Sequence, residues 1–396
     1  MADSSEKCII PAAASINLDQ LRTEIEAIDH ALIALFNQRM AAARKVAGFK
    51  AQNGTPVYVP GREDEIIAKA LPLVPVQDAI RAEIMLRSLM RLSRGAQYDC
   101  LQESSPMFDL GRQIIEAPAE IPALTKIVYQ GNTASYAAQA ARQLFPGITA
   151  ETVLTWEEAC LMVKAGTADL AVLPLENTTA GTVDEVYDLL VKYRLYIWRT
   201  LSLPIHHCLF GIAGSSLDDI RTVISHPQAL LQCSDFIRSR GWRIRESPNT
   251  AFAAAEVAKQ GDKEVAAIAS EMAADDKRLS ILSQDICNSQ VNQTRFIAVG
   301  RTLCITPDAA RISLVLRLPH QSGALAATLA IFGDRGLNLT KIESRPDLDN
   351  PWSYLFYLDF ESRTDQRLPV LATLLQLSRE MPMLELLGWY HEEGRK

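Results

Sequence analysis

A basic residue interrupts an otherwise apolar helix seam near the start of the chain. Leucine and isoleucine recur at alternating steps of three and four from Leu18 to Leu35, a pattern typical of a long helix packed along another helix. The next seam position is Arg39, after which Ala42 and Val46 resume the apolar stripe. A guanidinium in such a seam is costly unless it has an anionic partner. Because no acidic residue lies one turn away on this face, the pattern indicates that a ligand supplies the anion.

Helix geometry places a second cation beside Arg39 and a third far from it. Arg39 and Lys50 are eleven positions apart, so they point within about 20° of each other. Arg22 lies about 100° off that face and about 25 Å away along the axis. One small ligand cannot contact all three in one chain, whereas two antiparallel copies could bring Arg22 of one subunit towards Arg39 of the other. The pattern alone leaves a helical bundle with solvated surface cations as an equal alternative.

Polar clusters in the centre of the chain are candidates for a second site. Residues 131–135, 176–179 and 225–228 each follow an apolar segment directly. In parallel α/β sheets, ligands bind beyond the carboxyl ends of the strands. We therefore expect these three clusters to meet at one edge of a sheet.

The elements that must position these residues form three regions with different secondary-structure patterns. Helices are predicted over Leu18–Gln52, from about Arg62, and over Val76–Gln97, and residues 98–123 lack periodicity and are predicted to be a linker. From Lys126, strands alternate with helices, which predicts a mostly parallel α/β sheet. From Arg311, the order predicts a βαββαβ-like unit of about 80 residues.

Composition excludes several classes of protein. The net charge of −7 argues against general nucleic-acid binding, and no apolar run is long enough to span a membrane. Residues 1–17 lack a convincing signal segment, and the seven cysteines show no C-x-x-C pair, so we expect reduced thiols in a cytoplasm. His206 and His207 lack metal-ligand spacing and are interpreted as structural, so no metal site is predicted.

The N-terminal cations belong to a larger pattern that resembles the site of the all-helical chorismate mutases. The matching residues are Arg22, Arg39, Lys50, Arg62, Glu63, Ser93 and Gln97. The resemblance implies an intertwined dimer with a shared site that rearranges chorismate to prephenate without a cofactor. It implies that Arg39, Arg62 and Arg22 of the partner subunit hold the two carboxylates. Lys50 and Gln97 would donate to the breaking ether oxygen, Glu63 would hold the ring hydroxyl, and Ser93 would assist.

Four central motifs together resemble prephenate dehydratase. They are Gly131-x-x-x-Ser135-Tyr136, Glu176-Asn177-Thr178-Thr179-x-Gly181, Ser225-His226-Pro227-Gln228 with Gln232-Cys233, and Asn292-x-Thr294-Arg295-Phe296. The resemblance implies two α/β lobes like those of periplasmic binding proteins, with the site in the cleft. The reaction removes water and carbon dioxide from prephenate to give phenylpyruvate. Ala134 stands where the family usually has glycine.

The same resemblance assigns roles in the cleft. Thr294 is implied to donate a proton to the leaving hydroxyl, within a network of Asn177, Ser225 and Gln232. Substrate-binding or supporting roles are expected for a second set: Ser135, Glu176, Thr178, His226, Arg295 and Phe296. Two of these stay open, because Arg295 either binds a carboxylate or braces the loop, and His226 is either a general acid or structural.

The C-terminal unit resembles the phenylalanine-binding ACT domain. The motifs are Gly323-Ala324-Leu325 and Asn338-Leu339-Thr340-x-Ile342-Glu343-Ser344-Arg345-Pro346. Gly323 at a helix start would let backbone N–H groups approach a carboxylate, and Glu343 would meet an ammonium group. Ser344, Arg345 and Pro346 would belong to an interface loop. The resemblance implies feedback inhibition by phenylalanine.

The sequence thus predicts a multidomain homodimer or higher homo-oligomer with two activities and an effector site. The predicted domains are an all-α domain over 14–100, a linker over 101–123, an α/β dehydratase domain over 124–302 and an α+β ACT domain over 310–390. The dehydratase lobes are placed at about 124–202 and 203–285, with a return to the hinge over 286–302. Two alternatives stay open: a dehydratase that prefers arogenate, and an amino-acid sensor without catalysis.

Overall fold

The computed structural model describes residues 17–104, 108–275, 278–289, 291–347 and 350–394. Cys8, the rest of segment 1–16 and the predicted domain start at residue 14 lie outside this description. The chain forms two compact units, one up to residue 106 and one from residue 107.

The first unit is helical. Its helices are α1 (Leu18–Asn53), α2 (Arg62–Ala70) and α3 (Ala79–Ser104). The Asn17 side chain caps the start of α1 by accepting from two backbone N–H groups, and Gly54 ends it in the left-handed conformation. Helix α1 packs on α3 through its C-terminal half, where Met40, Ala43 and Ala47 are buried. The N-terminal half of its apolar seam is exposed, with Ile25 57% and Leu35 60% accessible.

The second unit begins with helix α4 (Asp109–Glu116), followed by a first α/β lobe. That lobe contains β1 (Lys126–Gln130), α5 (Tyr136–Leu144), β2 (Thr149–Val153), α6 (Trp156–Ala165), β3 (Leu170–Asn177), β4 (Gly181–Thr182), α7 (Asp184–Tyr193) and β5 (Tyr196–Pro204).

A second lobe follows without a break. It contains β6 (His207–Ile212), β7 (Thr222–Ser225), α8 (Pro227–Gln232), α9 (Ser234–Arg240), β8 (Arg243–Glu246), α10 (Thr250–Gln260), β9 (Val265–Ser270) and β10 (Leu279–Ser283). Strand β11 (Gln293–Gly300) then returns to the first lobe between β3 and β5.

The C-terminal elements have the predicted βαββαβ order. They are β12 (Arg311–Arg317), α11 (Ala324–Gly333), β13 (Asn338–Pro346), β14 (Tyr354–Glu361), α12 (Arg367–Glu380) and β15 (Met383–Glu393). Their sheet is continuous with that of the first lobe, because β15 pairs in parallel with β5 through His391–Glu393. The pairing of β15 with β5 was not predicted from the sequence.

One expectation was wrong. The sheets of the lobes are mixed and not mostly parallel, because β11 runs antiparallel to both β3 and β5, and β6 runs antiparallel to β9. The linker over 101–123 stays a prediction, and its described residues contain the end of α3 and all of α4, a helix that was not predicted. Helix α4 forms because Ile114 is fully buried against the core of the C-terminal elements.

Candidate active sites

In the helical unit, Arg39 points from α1 onto α3. Its guanidinium donates to the Leu89 carbonyl at 2.7 Å and also contacts the Ser93 hydroxyl. Burial lowers the pKa of Arg39, and the negative charge of Glu63 opposes that shift. The structure therefore brings Arg39, Ser93 and Glu63 together from three helices, and Glu63 supplies an acidic neighbour that the seam itself lacks.

Lys50 of α1 and Gln97 of α3 are two further predicted residues of the helical unit. The Lys50 ammonium donates to the Val57 carbonyl at 2.7 Å, and burial lowers its pKa. Gln97 is buried and donates to the Ser93 carbonyl at 3.2 Å. Its amide oxygen has no hydrogen-bond partner among the residues described. A buried amide with one unsatisfied end is costly in a closed core and is suited to a ligand.

Arg94 is a charged neighbour of this site that was not predicted from the sequence. This α3 residue forms an ion pair with Glu63, and its guanidinium lies 5.2 Å from the centroid of the Tyr58 ring. Both charged side chains are mostly buried, at 13% and 23% exposed. Arg94 directly follows Ser93 on α3. That position beside a predicted site residue was the one feature of the sequence that could have pointed to it. Arg94 fixes the orientation of the Glu63 carboxylate.

Two of the predicted mutase residues are not brought to this group within one chain. Arg22 is 65% exposed and pairs with Asp19, its neighbour on α1. Arg62 is 63% exposed and pairs with Glu65 at 2.6 Å. Arg22 lies about 25 Å along α1 from Arg39, so one chain cannot bring them to the same small ligand.

In the second unit, a hydrogen-bond network is centred on Asn177 at the end of β3. Its amide nitrogen donates to the Thr294 hydroxyl at 2.9 Å, to the Asn292 side chain at 2.8 Å and to the Gln293 carbonyl at 3.0 Å. Its amide oxygen accepts from the backbone N–H groups of Thr179 and Ala180, which fixes the turn after β3. The first residues of β11 and the last residue of β3 therefore form one rigid cluster.

The network crosses from the first lobe to the second through Gln232. The Gln232 amide donates to the Thr179 hydroxyl at 2.9 Å and to the Asn177 amide oxygen at 3.4 Å. Its own oxygen is 3.0 Å from Nε2 of His207. Three predicted residues, Asn177, Gln232 and Thr294, are thus joined at the cleft.

His207 belongs to this hydrogen-bond network, although the sequence predicted only a structural role for it. It is 3% exposed, and burial lowers its pKa to about 4. The imidazole is therefore neutral near pH 7, and its Nε2 carries the hydrogen that the Gln232 oxygen accepts. The Tyr136 hydroxyl donates to the adjacent His206 carbonyl at 2.6 Å, which ties the start of α5 to the same segment.

Ser225 and Phe296 do not join the network. The Ser225 hydroxyl is fully buried and donates to the Ile268 carbonyl at 2.6 Å. Phe296 is 4% exposed and packs in the core of the first lobe. This position suits the supporting alternative of its predicted role, and a direct contact with substrate stays a prediction.

Three further predicted residues hold backbone in place. The Ser135 hydroxyl caps α5 by accepting from Ala138, and Nδ1 of His226 accepts from the Gln228 N–H at the start of α8. The Thr178 hydroxyl donates to the Val291 carbonyl at 2.8 Å, on the segment that leads into β11. For His226 the structure favours the structural alternative.

Glu176 and Arg295 lie on the opposite face of their strands from Asn177 and Thr294. Their side chains form an ion pair at 2.6 Å, and Arg295 also lies 3.2 Å from Asp359 of β14. Arg295 thus braces the strands against the C-terminal sheet, and it also lines a cavity together with Asn177 and Thr178, so both alternatives for its role stay open. Burial opposes ionisation of Glu176, but Arg295 and Lys341 outweigh it and lower its pKa.

The predicted effector residues fall into two groups. Gly323, with a φ of +78°, caps α11, whose first residues Ala324 and Leu325 are half-buried, and Asn338 is exposed and donates weakly to Glu361 at 3.4 Å. In the second motif, Ser344 and Pro346 are exposed, whereas Glu343 and Arg345 contact the first lobe. Glu343 accepts from the Thr182 hydroxyl and lies 3.2 Å from the Lys341 ammonium. Its contact with the ammonium group of an effector stays a prediction.

The described residues carry neither a metal-binding cluster nor a membrane-spanning helix. They contain no group of three or more His, Cys, Asp or Glu residues arranged to hold a metal ion. Within the same ranges, no helix combines the length and the apolar character needed to cross a membrane.

Comparison with known proteins identifies three regions in order. Residues 21–98 match the family model of chorismate mutase type II, residues 127–303 that of prephenate dehydratase, and residues 312–375 that of the ACT domain.

Individual relatives cover nearly the whole chain or its second unit. A bifunctional chorismate mutase/prephenate dehydratase of Enterobacter agglomerans is 32% identical over 94% of this chain and 96% of its own. Arogenate dehydratase/prephenate dehydratase 1 of Arabidopsis thaliana, a chloroplastic protein, is 36% identical over 67% of this chain and 71% of its own. The structure of prephenate dehydratase from Arthrobacter aurescens in complex with L-Phe is 29% identical, with a TM-score of 0.62, over 67% of this chain and 90% of that one.

Proposed function

The chain belongs to the family of bifunctional chorismate mutase/prephenate dehydratases, and from that premise we propose which residues perform its two reactions and how they are controlled. It is an enzyme of aromatic amino-acid biosynthesis that rearranges chorismate to prephenate and converts prephenate to phenylpyruvate. The alternative of a non-catalytic sensor is therefore set aside.

In the mutase reaction, the helical unit binds and polarises a dianion. Arg39 and Arg62, with Arg22 of the partner subunit, bind the two carboxylates, and Glu63 holds the ring hydroxyl with the help of Ser93. As the ether C–O bond breaks, negative charge grows on its oxygen, and Lys50 and Gln97 donate to that oxygen. Donors that are already fixed stabilise this charge without reorganisation. The reaction is concerted and needs no covalent intermediate.

A homodimer follows from the same proposal. The apolar seam of α1 from Leu18 to Leu35 is exposed in one chain, and a second copy packed antiparallel would cover it. The same packing brings Arg22 of the partner subunit towards Arg39 and Lys50. The mutase site is incomplete without that partner.

In the dehydratase reaction, Thr294 donates a proton to the leaving ring hydroxyl. The observation that carries this assignment is that the Thr294 hydroxyl accepts from Asn177 at 2.9 Å and has no acceptor for its own hydrogen within the part of the chain described. The amide polarises the O–H bond, and the hydrogen remains available to the substrate. Loss of hydroxide as water and loss of carbon dioxide aromatise the ring, which supplies the driving force. Gln232 and His207 keep Asn177 and Thr179 in place.

The C-terminal unit is proposed to bind phenylalanine and to slow the dehydratase. The start of α11 at Gly323, with Ala324 and Leu325, offers backbone N–H groups to a carboxylate, and Asn338 lies at the start of β13. The related Arthrobacter structure contains L-Phe. Glu343, Ser344, Arg345 and Pro346 form the segment that contacts the dehydratase lobe. Ligand binding shifts the enzyme between two states that differ in affinity.

The cytoplasm is the proposed compartment. Six cysteines lie among the described residues and none of them forms a disulfide: Cys100, Cys160, Cys208, Cys233, Cys287 and Cys304. Free cysteines are typical of proteins kept in a reducing compartment.

Two substitutions test the assignment of separate sites. Lys50→Ala should lower the mutase rate by at least about a hundredfold, the scale of losing one fixed transition-state donor, and should leave conversion of prephenate unchanged. Thr294→Ala should do the reverse. If either variant, folded by circular dichroism, lost both activities, the model of two separate sites would be wrong.

Arogenate is a second candidate substrate for the dehydratase site. The observation that favours it is the 36% identity of this chain to the Arabidopsis arogenate dehydratase/prephenate dehydratase 1. Arogenate carries an amino group where prephenate has its side-chain keto group. We propose prephenate because the attached mutase produces it, and a comparison of kcat/KM for the two compounds decides between them.

A further inference from the structure

Lys341 of β13 connects the C-terminal βαββαβ elements to the strands that carry the proposed dehydratase site. Its ammonium forms an ion pair with the carboxylate of Glu176 and donates to the Tyr187 hydroxyl at 3.0 Å. It also lies 3.2 Å from the carboxylate of Glu343, its neighbour on the same strand. The side chain is only 14% exposed, so this cation is held between carboxylates away from solvent.

Glu176 is shared between Lys341 and Arg295. One carboxylate oxygen contacts Lys341, and the other lies 2.6 Å from Arg295. Arg295 continues the network to Asp359 at 3.2 Å, and Asp359 is 3% exposed. Charges in such a network depend on one another, because removing one partner leaves the next without compensation.

The backbone links this network directly to the proposed chemistry. Glu176 immediately precedes Asn177, and Arg295 immediately follows Thr294. Across β3 and β11, Thr294 pairs with Asn177 and Arg295 pairs with Glu176. Successive side chains of a strand point to opposite faces, so the Asn177–Thr294 hydrogen bond lies on one face and the ion pair on the other. A rotation of β3 or β11 therefore moves both the hydrogen bond and the ion pair.

Glu343 holds the other side of the same turn. Its carboxylate accepts from the Thr182 hydroxyl, and Thr182 is the β4 partner of Glu176. Strand β13 therefore contacts both strands that flank the turn between Asn177 and Gly181. Lys341 keeps the two carboxylates, Glu176 and Glu343, from repelling each other across this junction.

We propose that Lys341 is a positioning residue for the dehydratase reaction. By neutralising Glu176 and Glu343, it holds β3 in the register that keeps Asn177 bonded to Thr294. Because Lys341 lies on the strand that begins at Asn338, a displacement of β13 by an effector reaches the cleft through the same contact. The inference rests on the proposed dehydratase function and adds the residue through which it is controlled.

The test compares Lys341→Gln, Lys341→Arg and the control Lys192→Gln in the full-length protein. Lys192 forms an ion pair with Glu157 at 2.7 Å on the same lobe and is 61% exposed. Lys192→Gln therefore breaks the same kind of lysine–glutamate pair, but away from the proposed site. Lys341→Gln should lower the dehydratase kcat about tenfold with KM changed less than about threefold, within the range that a small misplacement of catalytic groups costs. Lys341→Arg should recover most of kcat, and Lys192→Gln should match the wild type. Circular dichroism of each variant measures its folding, and the mutase rate, measured with chorismate, checks that the helical unit is unaffected.

Two further measurements separate positioning from a general loss of structure. In a Glu176→Gln background, Lys341→Gln should add less than about a twofold loss, because contacting residues are not additive. Phenylalanine should still bind Lys341→Gln by calorimetry while inhibiting it less than the wild type. Independent, multiplicative losses, or a wild-type kcat and inhibition in Lys341→Gln, would overturn the inference. If the wild type itself forms no phenylpyruvate, the proposed function fails instead.

Discussion

Asn177 and Thr294 face each other across β3 and β11, and the amide of Asn177 donates a hydrogen bond of 2.9 Å to the hydroxyl of Thr294. A threonine hydroxyl is a weak acid on its own. Here it accepts from a donor that is itself fixed by the Asn292 side chain and the Gln293 carbonyl. The hydroxyl hydrogen is therefore aimed away from Asn177, and the acidity needed to release water comes from placement in a network.

Replacing the donor amide tests this relationship. Asn177→Asp keeps an acceptor for Thr179 and Ala180 but removes the donor to Thr294. We expect the dehydratase kcat to fall about a hundredfold, the scale of losing one fixed donor in an active site. Steady-state kinetics with prephenate measures it.

A matched control for Asn177→Asp is Asn249→Asp. Asn249 caps α10 by accepting from Phe252 at 2.7 Å, a role that aspartate also performs. It should leave kcat unchanged. Equal losses in both variants would mean that added charge, and not the lost donor, lowers activity.

The ion pair between Arg94 and Glu63 predicts a positioning role in the mutase. Arg94→Ala frees the Glu63 carboxylate, so the mutase kcat should fall about tenfold or more while prephenate turnover stays normal. The control is Arg87→Ala, which breaks pairs with Asp64 and Glu83 on the same helices at 48% exposure and should change the rate less than about twofold. A wild-type mutase rate in Arg94→Ala would rule out this role.

Burial of His207 predicts that acid destabilises the second unit. Its folded pKa of about 4 lies below the ordinary value of 6.5, so the unfolded chain binds the proton first as the pH falls. This contribution to stability is complete above pH 6.5 and is lost as the pH falls towards 4. Each pKa unit is worth about 1.4 kcal/mol, so the wild type should lose on the order of 3 kcal/mol more than His207→Gln between pH 7 and pH 4.

Urea denaturation followed by tryptophan fluorescence measures this difference, because all five tryptophans lie beyond residue 107. Parallel pH profiles for the wild type and His207→Gln would contradict a neutral, buried imidazole.

Cys287 should be the readily alkylated thiol among the cysteines of the second unit. A hydrogen bond from Cys233 lowers the pKa of Cys287 to about 6, whereas burial is the main cause that raises the pKa of Cys160, Cys208 and Cys304. Since the thiolate is the nucleophile, its alkylation by iodoacetamide should slow about tenfold from pH 7 to pH 5. Peptide mass spectrometry gives the site and the rate. Modification of Cys160 before Cys287 would refute the assignment.

The sequence predicted best what depends on local pattern. The seam from Leu18 predicted a helix to Gln52, and α1 ends at Asn53. The order of strands and helices after Arg311 is the observed one because each element carries its own periodicity. Helix α4 was missed because eight residues are too few to show a period, and only burial of Ile114 by distant elements explains it.

What the sequence could not predict depends on contacts between distant segments. The bracing contact of Arg295 depends on Asp359, which is 64 residues away. The role of His207 needs Gln232, 25 positions away, and the role of Lys341 needs Glu176, 165 positions away. The resemblance implied a return to the hinge over 286–302, but strand direction is a tertiary property, so the antiparallel pairing of β11 with β3 and β5 was not predicted.

The most direct test of two sites acting in sequence is to give purified protein chorismate alone and to follow prephenate and phenylpyruvate over time, with and without phenylalanine. The account predicts that prephenate rises and then falls as phenylpyruvate accumulates, and that phenylalanine slows the second step. Prephenate that accumulates with no phenylpyruvate would contradict the assignment of Asn177 and Thr294 to a working prephenate dehydratase.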